Sequence, residues 1–148
     1  MTLDIDLLIY KALKADNEIM EATKGRIFST CVEVPPMEKD NTPLPYIIVG
    51  YDGMNEGNST KDTSFGTDND MEDVFVEVSA SSRNALVPLM RRIRKCVHDY
   101  MVAAQERGED VPEDYSVSAS GVAWDWTKPC YYQTMNFHCS TNNELEIC

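Results

Sequence analysis

The sequence predicts an α+β fold: a single mixed or antiparallel sheet of about five strands with two main helices packed on one face, in the order α-β-β-β-α-β-β. Three observations predict it. Apolar residues recur at three- and four-residue intervals near the start and again from Leu86 to Ala104, which is helical spacing. Val74, Val76 and Val78 alternate with Phe75, Glu77 and Ser79, which is strand spacing. Most prolines and several glycines fall between such segments, at Gly25, Pro35-Pro36, Pro43, Pro45, Gly108 and Pro129. No linker divides the 148 residues, so 1–148 reads as one domain, long enough to bury roughly 68–70% of the surface its unfolded chain exposes.

The first helix is expected from Asp4 to Met20, where Ile5, Leu8, Ile9, Ala12 and Ile19 make one buried stripe and Thr2 or Asp4 supplies the N-cap. Lys24-Gly25 gives it a basic residue and a left-handed stop. Arg26 to Val34 is β-branched enough for a strand, ended by Pro35-Pro36. After a polar stretch, Pro43 and Pro45 hold the backbone extended into Tyr46-Ile-Ile-Val49, a second strand whose four apolar residues leave neither face for water. One face is expected on helices and the other, through Tyr46 and Ile48, on a neighbouring subunit.

Residues 52–71 hold Gly53, Gly57 and Gly66 among polar residues and read as a long mobile hairpin loop before the valine strand. The main helix, capped by Ser81, Ser82 or Asn84, runs to about Arg107 and stops at Gly108. Leu86, Leu89, Met90, Ile93, Val97, Tyr100, Met101 and Ala104 occupy about 120° of its wheel. Pro88 belongs in the first turn or so; a start at Ser82 would make it a kink. Tyr115 to Trp126, with Val122, Trp124 and Trp126 on one face, and Tyr131 to Thr141, with Tyr131, Met135 and Phe137 on one face, are the last strands, joined by a turn at Thr127-Lys-Pro129.

Twenty-five acidic and 13 basic side chains give a formal charge of −12, which opposes general binding to nucleic acid and adds self-repulsion that any oligomer has to overcome. The acidic start Met1 to Asp6 lacks the pattern of a secretory signal, and no apolar run reaches the 18 or so residues of a membrane span, so a cytosolic site of synthesis is expected. Five cysteines without a Cys-x-x-Cys pair read as buried reduced thiols.

Chemistry finds little purchase. None of the glycine-rich phosphate loops, the Gly-x-Ser-x-Gly elbow or His-Glu-x-x-His is present, and the two histidines, His98 and His138, leave few acid–base options. His98 falls on the polar side of the main helix and reads as solvated. Cys130, His138 and Cys139 lack a second close pair for zinc, and neighbours on a strand point to opposite faces. Asp68 to Asp73 lacks the glycine and terminal glutamate of a calcium loop. No metal, catalytic residue or cofactor is assigned. The run Arg91-Arg92-Ile-Arg94-Lys95 gathers four cations outside the apolar arc, as a solubilising face or as a surface that docks on an acidic edge of the next subunit.

The segment Leu7-Leu8-Ile-Tyr-Lys-Ala-Leu13, the Gly25-Arg-Ile-Phe28 opening of the first strand, Thr42-Pro-Leu-Pro-Tyr46, and Val76-Glu-Val-Ser79 before a long helix resemble, in sequence and order, the tail-completion proteins of long-tailed bacteriophages. The likeness spans about residues 5 to 105. It implies a subunit without catalysis that forms a ring, commonly a hexamer, on the head-proximal end of the tail tube, stops tube growth and offers the surface to which the head joins. The implied partners are copies of itself, the tail tube protein and head-completion or connector proteins, with DNA passing through the ring; the implied location is the virion, after assembly in the host bacterial cytoplasm. Arg91, Arg92, Arg94, Lys95, Tyr46 and Ile48 are the expected subunit contacts, and Asp68, Asp70, Glu72 and Asp73 an acidic group facing the channel or a partner. The resemblance also allows a neck connector or stopper; alternatives from the residues are a monomeric cytosolic adaptor that binds one protein through the 52–71 loop, and an enzyme using carboxylates.

Overall fold

The computed structural model describes residues 5–29, 43–55, 70–112 and 114–141. In chain order these form α1 (Ile5–Lys14), α2 (Asn17–Thr23), β1 (Ile27–Ser29), β2 (Tyr46–Asn55), β3 (Asp70–Ala80), α3 (Arg83–Glu106), β4 (Asp114–Ala119), β5 (Ala123–Asp125) and β6 (Cys130–Thr141). The class is α+β, as expected, with six described strands instead of about five. The sheet runs β1-β2-β3-β6-β4, with β5 beside β4 on the outer side of β6. Among the described strands only β1 and β2 are parallel; the other pairs are antiparallel, so the sheet is mixed.

The N-terminal helix is two helices. Asp16 takes an extended conformation and its carboxylate accepts from the Ile19 amide at 3.0 Å, which caps α2 and ends α1 before it. The left-handed stop also shifts: Lys24 enters that region at φ 53° and Gly25 follows at φ 80°. Beyond it the Arg26 guanidinium donates to the carbonyls of Leu44 (3.0 Å) and Pro45 (3.2 Å), while the Arg26 carbonyl accepts from the Ile47 amide (3.0 Å). Two segments nearly 20 residues apart are thereby clamped as one entry to the sheet.

Residues 52–55 belong to β2 and 70–71 to β3, and the ladder between the two strands ends by pairing Asn55 with Met71. The loop expected at 52–71 is therefore shorter, and positions 56–69, like 30–42, lie outside the described residues. Gly50 is opposite Phe75, and its bare Cα suits the ring: a Cβ there would fall 2.3 Å from Phe75 Cζ.

Ser82 caps α3 by accepting from the Ala85 amide at 3.2 Å. Pro88 thus sits in the second turn, removing the amide that would have bonded the Asn84 carbonyl. At the far end Gly108 is left-handed, the Gly108 amide bonds the Gln105 carbonyl and the Glu109 amide the Ala104 carbonyl, a Schellman stop. Alternation along the strands then puts Ile47, Val49, Val74, Val76, Val78, Met135 and Phe137 on one face, where Ile5, Ile9, Leu13, Ile19, Leu86, Ile93 and Val97 cover them. Helices α1 and α3 also touch each other.

The stretch expected as one strand, Tyr115 to Trp126, is broken at Ser120-Gly121-Val122 into β4 and β5. Trp124 packs edge-on against Tyr131 (ring centroids 4.8 Å), but Trp126 lies past the strand in a turn and is 87% exposed. Asp125 sets that turn by accepting from the Thr127 amide and hydroxyl and the Lys128 amide.

Cys96, Cys130 and Cys139 are free and buried. Burial, with nearby carboxylates second, pushes the thiols of Cys96 and Cys139 up to about 12. At pH 8 iodoacetamide is therefore expected to spare both in the folded protein and to label them in guanidinium, read by peptide mass spectrometry. Labelling of the native protein at the rate of a free thiol would contradict this burial.

Candidate interaction surface

Helix α3 ends at a tight Schellman stop and the chain returns as β4, so the two run side by side in opposite directions along the outer edge of the sheet. Between them lies a groove of about 880 Å³, lined by Arg91, Arg94, Lys95 and His98 from the helix and by Asp114 to Val117 from the strand. It continues past Arg91 and Arg94 into a smaller hollow of about 180 Å³ that reaches Ala119. Tyr115 forms part of the lining: its hydroxyl and His98 Nδ1 share a hydrogen bond of 2.9 Å, and its ring leans on Phe137 at 6.3 Å. Burial raises the Tyr115 phenol above its ordinary pKa, so it stays a neutral hydrogen-bonding group at physiological pH. Val102, 42% exposed, adds an apolar patch to the lining.

The four cations of the α3 run have different positions. Arg92 turns to α2, its Nη2 2.7 Å from Asp16 Oδ2 and its Nε 3.4 Å from Glu18 Oε2. Lys95 pairs with Asp99 at 2.8 Å, one turn along. Arg91 and Arg94 are exposed and make no ion pair among the described residues. The groove therefore presents two free guanidinium groups beside apolar surface, a setting that accepts carboxylates on an extended chain.

Other expected sites fall elsewhere. Tyr46 and Ile48 are 3% and 6% exposed and lie on the face away from the helices, so they do not offer the open surface expected of a subunit contact. The Tyr46 ring meets Phe28 edge-on at 6.4 Å and Lys128 Nζ at 5.5 Å. Glu72, expected to face a channel or a partner, is 4% exposed and accepts from the Tyr51 hydroxyl at 3.3 Å. Asp73 is engaged by His138 Nδ1 at 2.7 Å. The Asp70 backbone begins β3, and Asp68 lies outside the described residues.

His138 also shares a hydrogen bond of 3.0 Å with Ser118 through Nε2. Ser118, His138 and Asp73 come from three adjacent strands, β4, β6 and β3, and have the bonding order of a nucleophile, a base and an orienting acid. The amides of β3 and β6 are engaged by neighbouring strands on both sides, and the outer amides of β4 point in the plane of the sheet, away from His138. The arrangement is a polar staple across three strands. Sequence reading missed it because its members are 20 and 65 positions apart. It missed Tyr115 and Val102 for a related reason: only the return of β4 beside α3 makes a groove of them.

No protein-family model matches the chain, and no curated protein matches its sequence. Among solved structures, a chain described as part of the virion of a native gene transfer agent particle superposes with a TM-score of 0.52 over 94% of this chain and 95% of that one. The identity is 16%. The two chains share a fold over nearly their whole lengths. Among the described residues no helix is long and apolar enough to cross a membrane.

Proposed function

We propose that this chain is a structural assembly protein of a phage-like particle, acting as a tail terminator. Its copies form a ring, a hexamer by resemblance to tail-completion proteins, on the head-proximal end of the tail tube. The ring stops tube growth and gives the head its joining surface, without catalysis or cofactor. The observation that carries the reading is the fold shared end to end with a chain of a virion particle. The Arg26 clamp supports it, because it unites the Gly25-Arg-Ile-Phe28 and Leu44-Pro-Tyr46 segments on which the resemblance rests. Its partners on this reading are its own copies, the tube protein and the head-completion proteins, and its place is the virion. A net charge of −12 suits a ring that DNA crosses without adhering. In the single chain Glu72 is buried and Asp73 is bonded to His138.

Tail tubes assembled without a terminator and mixed with the purified protein should gain a ring at one end and cease to elongate, seen by negative-stain microscopy. Tubes that stay bare and keep growing would refute the role.

A further inference from the structure

We propose that the β4 edge and its groove bind a second copy of this chain through two-fold antiparallel pairing of β4 with β4. The inference goes beyond the assembly reading and does not depend on it. Among the described residues β4 has only β6 as a full-length neighbour, so its outer side presents backbone donors and acceptors to whatever approaches. Edge strands are commonly blunted by charge, proline or a bulge. From Tyr115 to Ala119 β4 has no charge and no proline, and its pairing to β6 is unbroken.

Charge names the occupant. Charge is unequally distributed along the groove: Arg91 and Arg94 stand by the Ala119 end, and exposed Asp114 lines the other, with exposed Asp110 just ahead of Val111 and Pro112 of that lining. Neither end has an ion-pair partner of its own among the described residues. An antiparallel copy, turned about an axis near Ser116 and Val117, lays its acidic end beside the first copy's arginines and its arginines beside the first copy's acids. Both contacts are attractive, and the same rotation keeps the apolar Val117 and Tyr115 sides of both strands on the helix-bearing face. A general acidic peptide would satisfy the arginines alone. A second copy satisfies both ends and the free edge together.

The test uses two full-length variants, Arg91→Glu with Arg94→Glu and Asp110→Lys with Asp114→Lys, all at exposed positions. By sedimentation velocity the wild type should dimerise with rising concentration, and each variant alone should associate roughly tenfold more weakly or worse, because both of its contacts become repulsive. An equimolar mixture should dimerise again, since in the mixed pair one contact is native and the other is reversed but attractive. Amide exchange of residues 115–119 should slow with dimerisation in the wild type. A wild type that stays monomeric, or a mixture no tighter than its components, would each overturn the proposal. Tube capping is scored separately, so failure of the terminator reading and failure of this pairing give different results.

Discussion

Phe137→Ala is expected to lower stability by about 3–5 kcal/mol and the melting temperature by roughly 6–20 °C. Phe137 is fully buried in β6, the strand on which β3, β4 and β5 all pair, and stands between Val74 and Val117 in the register. Removing its ring leaves a void bounded by two strands that cannot close on it without giving up ladder bonds. Tyr115 loses the ring it leans on, so the groove should loosen along with the core. Phe137→Leu, which fills part of the void, should lose less. Chemical denaturation would check both, and a loss under about 1 kcal/mol for the alanine variant at unchanged m-value would mean that this position is not central to the sheet.

Much of this core was legible because burial follows simple periods. The valines of β3 alternate, and that same alternation assigns Glu72 to the helix-bearing face with Val74, so its burial was implied by the pattern that located the strand. Helix α3 was legible for the same reason, and Cys96, expected as a buried thiol, lies on its buried side. The break between α1 and α2 was harder, because Ile19 keeps helical spacing with Ala12 across it. The local signal was Asp16 ahead of Asn17 and Glu18, a cap in place of a continuation. Ser120-Gly121 was a similar signal for the end of β4. What no local pattern could show was which cations are free. Arg91 and Arg92 are neighbours in sequence, yet only Arg92 meets a partner, 76 positions away.

Asp16→Ala is expected to cost about 1.5–3 kcal/mol, the sum of a lost N-cap and a lost ion pair. The Asp16 side chain is 9% exposed and Arg92 35%, so the pair is stronger than a surface contact, while the stranded guanidinium can still reach water. Asp16→Asn keeps a capping oxygen and removes the charge; it should cost less, about 0.5–1 kcal/mol. Burial alone would raise the Asp16 carboxyl, but the Arg92 hydrogen bond, the Ile19 amide and the Arg92 charge outweigh it and hold the pKa below the ordinary carboxylate value. With a depressed folded-state pKa, the stabilisation is complete above the unfolded value of about 3.9 and disappears as pH falls through the folded value. The gap between wild type and Asp16→Asn should therefore be constant near neutrality and shrink below about pH 4. A gap that persists undiminished to low pH would mean that the charge on Asp16 contributes nothing and the cap everything. The same pair separates the cations of α3: with Arg92 held against α2, Arg91 and Arg94 are left to the groove. Asp16→Ala should accordingly release a third arginine and change the self-association of the β4 edge, an effect that Ser82→Ala, a cap deletion on α3 without an ion pair, should not reproduce.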